Sequence, residues 1–123
     1  MSTIKKFEDI NAWKVARELV KEVYDISASG DMKKDFGLSD QIKRAGASVM
    51  ANIAEGFARK SSKDFCRFLF MAKASAAEVQ SHLYIALDQK YIHHEKFHQL
   101  YEKSEYIQKL LSNFIKYLNQ TNP

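Results

Sequence analysis

Proline and glycine are almost missing from this chain: of 123 residues one is proline, the last, and four are glycine. So few breakers argue against a turn-rich β fold and leave room for long helices. With 46% hydrophobic residues, the chain reads as all-α. It also lacks any stretch of ~18 apolar residues free of charge, and its start, MSTIKKFEDINAW, has no apolar run of signal-peptide length. A cytoplasmic protein with no membrane contact is expected. The single cysteine, Cys66, cannot form an internal disulfide. It lies beside Phe65 and Phe68 in an apolar helical pattern, which favours a core or interface thiol over a nucleophile. No Gly-rich phosphate loop, Ser/His/Asp set or internal repeat occurs, so a catalytic or cofactor reading has little to rest on.

The chain has the length of one domain, 1–123, with a formal charge of +4. That charge is unevenly placed. Residues 43–73 hold Lys43, Arg44, Arg59, Lys60, Lys63, Arg67 and Lys73 against only Glu55 and Asp64, a local excess of +5. The rest of the chain is close to balanced.

Apolar residues recur at helical spacing in four stretches, about 11–29, 39–59, 62–89 and 95–119, which predicts an antiparallel up-and-down four-helix bundle. Trp13, Ala16, Leu19, Val20, Val23 and Ile26 mark the first, with Gly30 as a left-handed C-cap. Residues 31–37 are charged enough to form a surface loop, and Ser39 can cap the second helix. Lys60 and Ser61 provide the next corner, and Ser61 with Asp64 can cap the third helix. The last five residues, Asn119 to Pro123, read as a frayed polar tail.

The second helix carries Arg44, Asn52, Glu55 and Gly56 among small residues. Small side chains let helices approach closely, and polar groups buried there need partners. Asn52 turns toward the Val49 and Phe57 side, so its amide should be satisfied by a neighbouring helix and could fix register. Glu78 on the third helix is the counterpart carboxylate, and Arg44 or Asn52 is the expected partner for Glu55 or Glu78. No nucleophile or ligand set accompanies the two carboxylates, so architecture is favoured over acid–base chemistry. Changing Asn52 should damage folding or assembly.

The third helix has two apolar stripes. Phe65, Phe68, Leu69, Ala72, Ala76, Val79, Leu83 and Leu87 form one; Phe70, Met71, Ala74, Ala77, Tyr84 and Ile85 form the other. A bundle of four helices buries one, so Phe70, Ala74, Ala77 and Tyr84 are expected to contact another copy of the chain. His94-Glu95-Lys96-Phe97-His98 matches the H-E-x-x-H zinc motif literally. It has a lysine inside, no H-x-x-G-x-x-H continuation and no evident third ligand, so surface histidines are favoured and no metal is assigned. Adventitious binding of a transition metal by His94 and His98, with His93 nearby, is the one metal reading the spacing allows.

The segments FEDINAWKVARELV (7–20), FGLSDQIKRA (36–45), NIAEGFAR (52–59) and SSKDFCRFLFMAKAS (61–75), with the helix around Glu78, cover most of the chain. Together they resemble the bacterial four-helix bundle proteins encoded in intervening sequences of 23S ribosomal RNA genes, a family similar in turn to the accessory variability protein of diversity-generating retroelements. Where that family often has Ile-Pro-Ser before the asparagine, this chain has Val49-Met50-Ala51, which removes the reason for a kink there. The resemblance implies a homo-oligomer of pentameric ring form. The basic excess points to RNA or DNA as a partner, RNA being favoured by the family's genomic association, while the likeness to the retroelement protein, a reverse-transcriptase partner, implies instead a scaffold for a nucleic-acid-handling protein. The residues expected to contact nucleic acid are Arg59, Lys60, Lys63 and Arg67, which flank one corner.

Overall fold

The computed structural model describes residues 4–121. It is an all-α, up-and-down four-helix bundle: α1 (Asn11–Ser27), α2 (Phe36–Phe57), α3 (Ser62–Asp88) and α4 (His94–Thr121). Short 3-10 turns at Phe7–Asp9 and Gly30–Lys34 precede and follow α1. Each helix packs on the next, and α4 closes back on α1. Each contributes one apolar stripe to the shared core, where Leu19, Val49, Ile53, Leu69, Leu83, Leu100, Ile107 and Leu111 are wholly inaccessible. Burying such a side chain stabilises by roughly 1.5–3 kcal/mol, so the stripes outweigh any surface pair in holding the helices together.

The ends of the helices differ from expectation in instructive ways. α2 begins at Phe36, three residues early, because Asp35 is its cap: Asp35 Oδ1 accepts from the Leu38 amide at 3.1 Å. Ser39 is instead buried, and its hydroxyl donates to the Met32 carbonyl at 2.7 Å. The segment read as a surface loop therefore plugs one end of the bundle. Its 3-10 turn sinks Met32 completely, and the Met32 carbonyl accepts from both the Ser39 hydroxyl and, at 3.0 Å, the Asp35 amide. Gly30 does adopt a left-handed φ of +52°, but one turn beyond the end of α1, where it opens that 3-10 turn. Helix α4 continues through Asn119, Gln120 and Thr121 instead of fraying from Asn119; Asn122 and Pro123 lie outside the described residues.

The α3–α4 connection meets the same end. α3 stops in a Schellman arrangement, with the Lys90 amide donating to Leu87 O and the Tyr91 amide to Ala86 O, both at 2.9 Å. Lys90 holds the left-handed position at φ 63°, which costs a residue with a Cβ about 1 kcal/mol. What the strain secures is Tyr91, whose hydroxyl donates to Asp35 Oδ2 at 2.9 Å and so links this connection to the cap of α2. The Asp35 carboxylate holds that phenol above its ordinary titration range.

Two polar seams join α4 to its neighbours. Against α3, Gln80 donates to Glu105 Oε1 at 2.9 Å and to Tyr101 O at 3.3 Å, and accepts from Gln108 at 2.7 Å. One turn closer to the α2–α3 corner, the Ser104 hydroxyl donates to the Ala76 carbonyl at 2.7 Å. Against α1, Lys103 Nζ sits 3.1 Å from Glu22 and 3.2 Å from Glu18. Gln99 also donates to Glu22, at 3.2 Å. Among the described residues no helix is long and apolar enough to cross a membrane.

Candidate nucleic-acid interface

The α2–α3 corner is built on close approach. A Cβ on Gly56 would lie 2.8 Å from Phe68 Cβ and 2.9 Å from Phe65 Cδ1, so only glycine lets the end of α2 rest on the first turns of α3. Phe57, Phe65 and Phe114 then pack edge to face around that contact. Ser61 accepts from the Asp64 amide at 3.1 Å and starts α3 where the sequence places it.

This packing sets the geometry of the four cations. Arg59 and Arg67 lie over the same Phe68 ring, with guanidinium carbons 4.6 Å and 4.7 Å from its centroid. A cation over an aromatic face is attracted by the ring quadrupole, so both arginines are partly pre-ordered toward solvent. Each also has an acidic neighbour close in the chain: Glu55 at 3.0 Å from Arg59 and Asp64 at 3.7 Å from Arg67. Lys60 and Lys63 are exposed and make no ion pair among the described residues. All four expected residues are brought together at one corner.

The other polar signature residues are not where the sequence reading put them. Arg44 is on the outside, paired with Asp40 at 2.8 Å, both side chains being more than half exposed. Glu55 is outside too, and Glu78 meets His82 Nε2 at 3.2 Å from an exposed position. Neither carboxylate is held by Arg44 or Asn52. The reason is local: each charge has an opposite or hydrogen-bonding group four residues away in the chain, which satisfies it at the surface without a second helix. Asn52 is half-buried, but its amide donates to Ser48 O and Ser48 Oγ, each at 2.9 Å, within α2. The link to α3 runs through Ser48 Oγ, 2.9 Å from Ser75 Oγ. Gly56 alone plays the close-packing part expected of the group.

Phe70, Ala74, Ala77 and Tyr84 are all exposed, with Phe70 at 55% and Tyr84 at 50%, and Met71 and Ile85 beside them are also open. Tyr84 leans on α4, its ring 4.9 Å from Phe97 and 5.8 Å from Tyr101. Cys66 is buried, and that burial pushes its thiol pKa up, away from the thiolate a nucleophile needs. His98 Nε2 meets Glu102 at 2.9 Å, and among the described residues no three His, Cys, Asp or Glu side chains are grouped to hold a metal ion.

The Gln80 network, the Lys103 cluster and the Asp35–Tyr91 bond went unread in the sequence. Gln80 could have been found: it neighbours Val79 and Leu83 on the core stripe, where an amide requires partners. The other two join residues more than fifty positions apart and carry no local signal.

None of the curated proteins compared matches the chain. Among solved structures, the chain is similar to a crystal structure described as a protein with unknown function from the S23 ribosomal protein family of Bacteroides thetaiotaomicron. The TM-score is 0.78 with 30% sequence identity, over 85% of this chain and 98% of that one. The family model described as 23S rRNA-intervening sequence protein matches residues 8–113, which span α1 to α3 and most of α4. The chain belongs to the 23S rRNA-intervening sequence protein family.

Proposed function

We propose that the protein is a non-enzymatic, cytoplasmic, self-assembling helical bundle that binds nucleic acid through the corner formed by Arg59, Lys60, Lys63 and Arg67. The observation that carries this reading is the shared Phe68 platform. Two guanidinium groups are held on one ring and two unpaired ammonium groups flank them, within a stretch whose local excess of +5 exceeds the +4 of the whole chain. Such a cluster suits phosphate contact, which gives affinity with little sequence preference. RNA is favoured over DNA by the family's description, which refers to 23S rRNA. Self-assembly is supported by the open α3 face, whose large apolar side chains a monomer leaves in water; a ring of five is what the family resemblance implies.

Salt dependence tests the contact directly. With four phosphate contacts on a single strand, the logarithm of the binding constant should fall against the logarithm of salt with a slope of about −3. Lys60→Glu with Lys63→Glu should roughly halve that slope and leave the fold intact, since both side chains are exposed. A second reading, a scaffold for a protein partner with no nucleic-acid contact, draws on Glu55 and Asp64, which neutralise part of the corner. Fluorescence titration of labelled RNA decides between them: no binding at low salt, or binding indifferent to the double lysine change, leaves the scaffold.

A further inference from the structure

A second open surface lies along α1. Trp13 and Tyr24 wall a groove of about 800 Å³ floored by Val20 and Met50. Trp13, Arg17, Val20 and Tyr24 follow the alternating four-and-three spacing of a helix seam that receives another helix. Cations dominate the groove's edge. Arg17 lies 6.0 Å from the centroid of the Trp13 ring, Lys43 lies 5.4 Å from that of Tyr24, and Lys14 and Lys21 are exposed between them. Of the two acids on that edge, Glu8 and Glu18, the second is already engaged by Lys103 at 3.2 Å.

The open face of α3 has the same spacing at Phe70, Ala74, Ala77, Ser81, Tyr84 and Asp88, all exposed. Its charge divides along its length. The half nearer the α2 corner carries Lys63, Arg67 and Lys73 against Asp64, whereas the half from Ala77 to Asp88 carries Glu78 and Asp88 and no Lys or Arg. The basic half cannot sit against a basic rim, but the acidic half can, and it brings Tyr84 and Ile85 as apolar side chains for the groove.

We infer that the Trp13–Tyr24 groove of one chain receives the Ala77–Asp88 half of α3 from a second copy of the same chain. The pairing rests on the self-assembly reading above and specifies its two surfaces. Because α1 and α3 stand diagonally across the bundle, one neighbour cannot engage both surfaces of a chain, so the contact is head to tail, and repeated copies close into a ring or continue as a filament rather than stopping at a two-fold dimer. Lys63 and Arg67 stay outside the contact, next to Lys60 and Arg59, so assembly and phosphate binding use opposite halves of one helix.

Charge reversal separates this pairing from other modes of assembly. Light scattering is compared for the wild type, a Lys14→Glu/Lys21→Glu chain, a Glu78→Lys/Asp88→Lys chain and a chain with all four changes, with circular dichroism to verify folding. The wild type should assemble, each double variant should be monomeric at the same concentration, and the quadruple variant should recover the wild-type mass. If the Lys14/Lys21 variant assembles like the wild type, or the quadruple variant stays monomeric, the groove is not the acceptor and the inference falls while self-assembly stands. A monomeric wild type overturns self-assembly itself and the inference with it.

Discussion

A Gly56→Leu chain is expected to lose about 3 kcal/mol of stability, and Gly56→Ala about 1–2 kcal/mol, in urea unfolding monitored by circular dichroism. Alanine is the better helix former by about 1 kcal/mol, so propensity alone predicts the opposite sign. The deciding quantity is space: the added Cβ would meet Phe68 Cβ at 2.8 Å and the Phe65 carbonyl at 3.3 Å. Neither is the far end of a flexible side chain, so α2 and α3 must separate. Gly46 is the internal control. A Cβ there meets only Val20 Cγ2 at 3.3 Å, a methyl that a small rotation moves, so Gly46→Ala should be close to neutral. Equal effects at the two positions would contradict the close-approach account of the corner.

Lys103→Met is expected to cost about 2 kcal/mol near neutral pH, well above the norm for a surface ion pair. Glu22 is the reason. Its side chain is only 22% exposed, and its Oε2 atom, 3.1 Å from Lys103 Nζ, has no aligned hydrogen bond to fall back on. Removing the ammonium leaves that carboxylate with Lys96 at 3.8 Å and the Gln99 amide. The same cluster predicts a pH dependence. Burial works against the Lys103 ammonium, but the Glu22 and Glu18 carboxylates outweigh it and hold its pKa above the ordinary 10.5. The folded state therefore keeps this proton longer than the unfolded chain, and the contribution is complete below about pH 10 and lost as pH rises through the folded value. The stability gap between wild type and Lys103→Met should hold steady up to about pH 10 and shrink over the interval from there through the raised folded value. A gap constant over that interval would mean that Lys103 stabilises through packing of its stem instead.

Helix existence was plain in the sequence because four long apolar stripes at one period leave few other ways to build a core. Helix ends were less so: Asp35 and Ser39 are both good caps, and what chose between them was the burial of Met32, a tertiary fact. The basic corner was legible because Arg59, Lys60, Lys63 and Arg67 are contiguous across a turn, but their shared ring, Phe68, was not. Phe68 counts as core by its period, and only the folded chain shows that its ring face reaches the arginines, at 4.6 Å and 4.7 Å. Arg44, Glu55 and Glu78 were misplaced because helical angle says which way a side chain points and not what covers it. Asp40–Arg44 and Glu55–Arg59 are i,i+4 pairs visible in the sequence, and giving them weight would have kept both charges on the surface. Asn52 shows the complementary error, since an inward amide can be satisfied by its own helix.

Sedimentation of the wild-type protein with labelled single-stranded RNA at low salt tests the central claim most directly. The account predicts that the RNA moves with a particle of several 14.2 kDa chains, and that it is released without breaking the particle when Arg59, Lys60, Lys63 and Arg67 are reversed to glutamate. RNA that sediments alone beside the wild-type protein would contradict it.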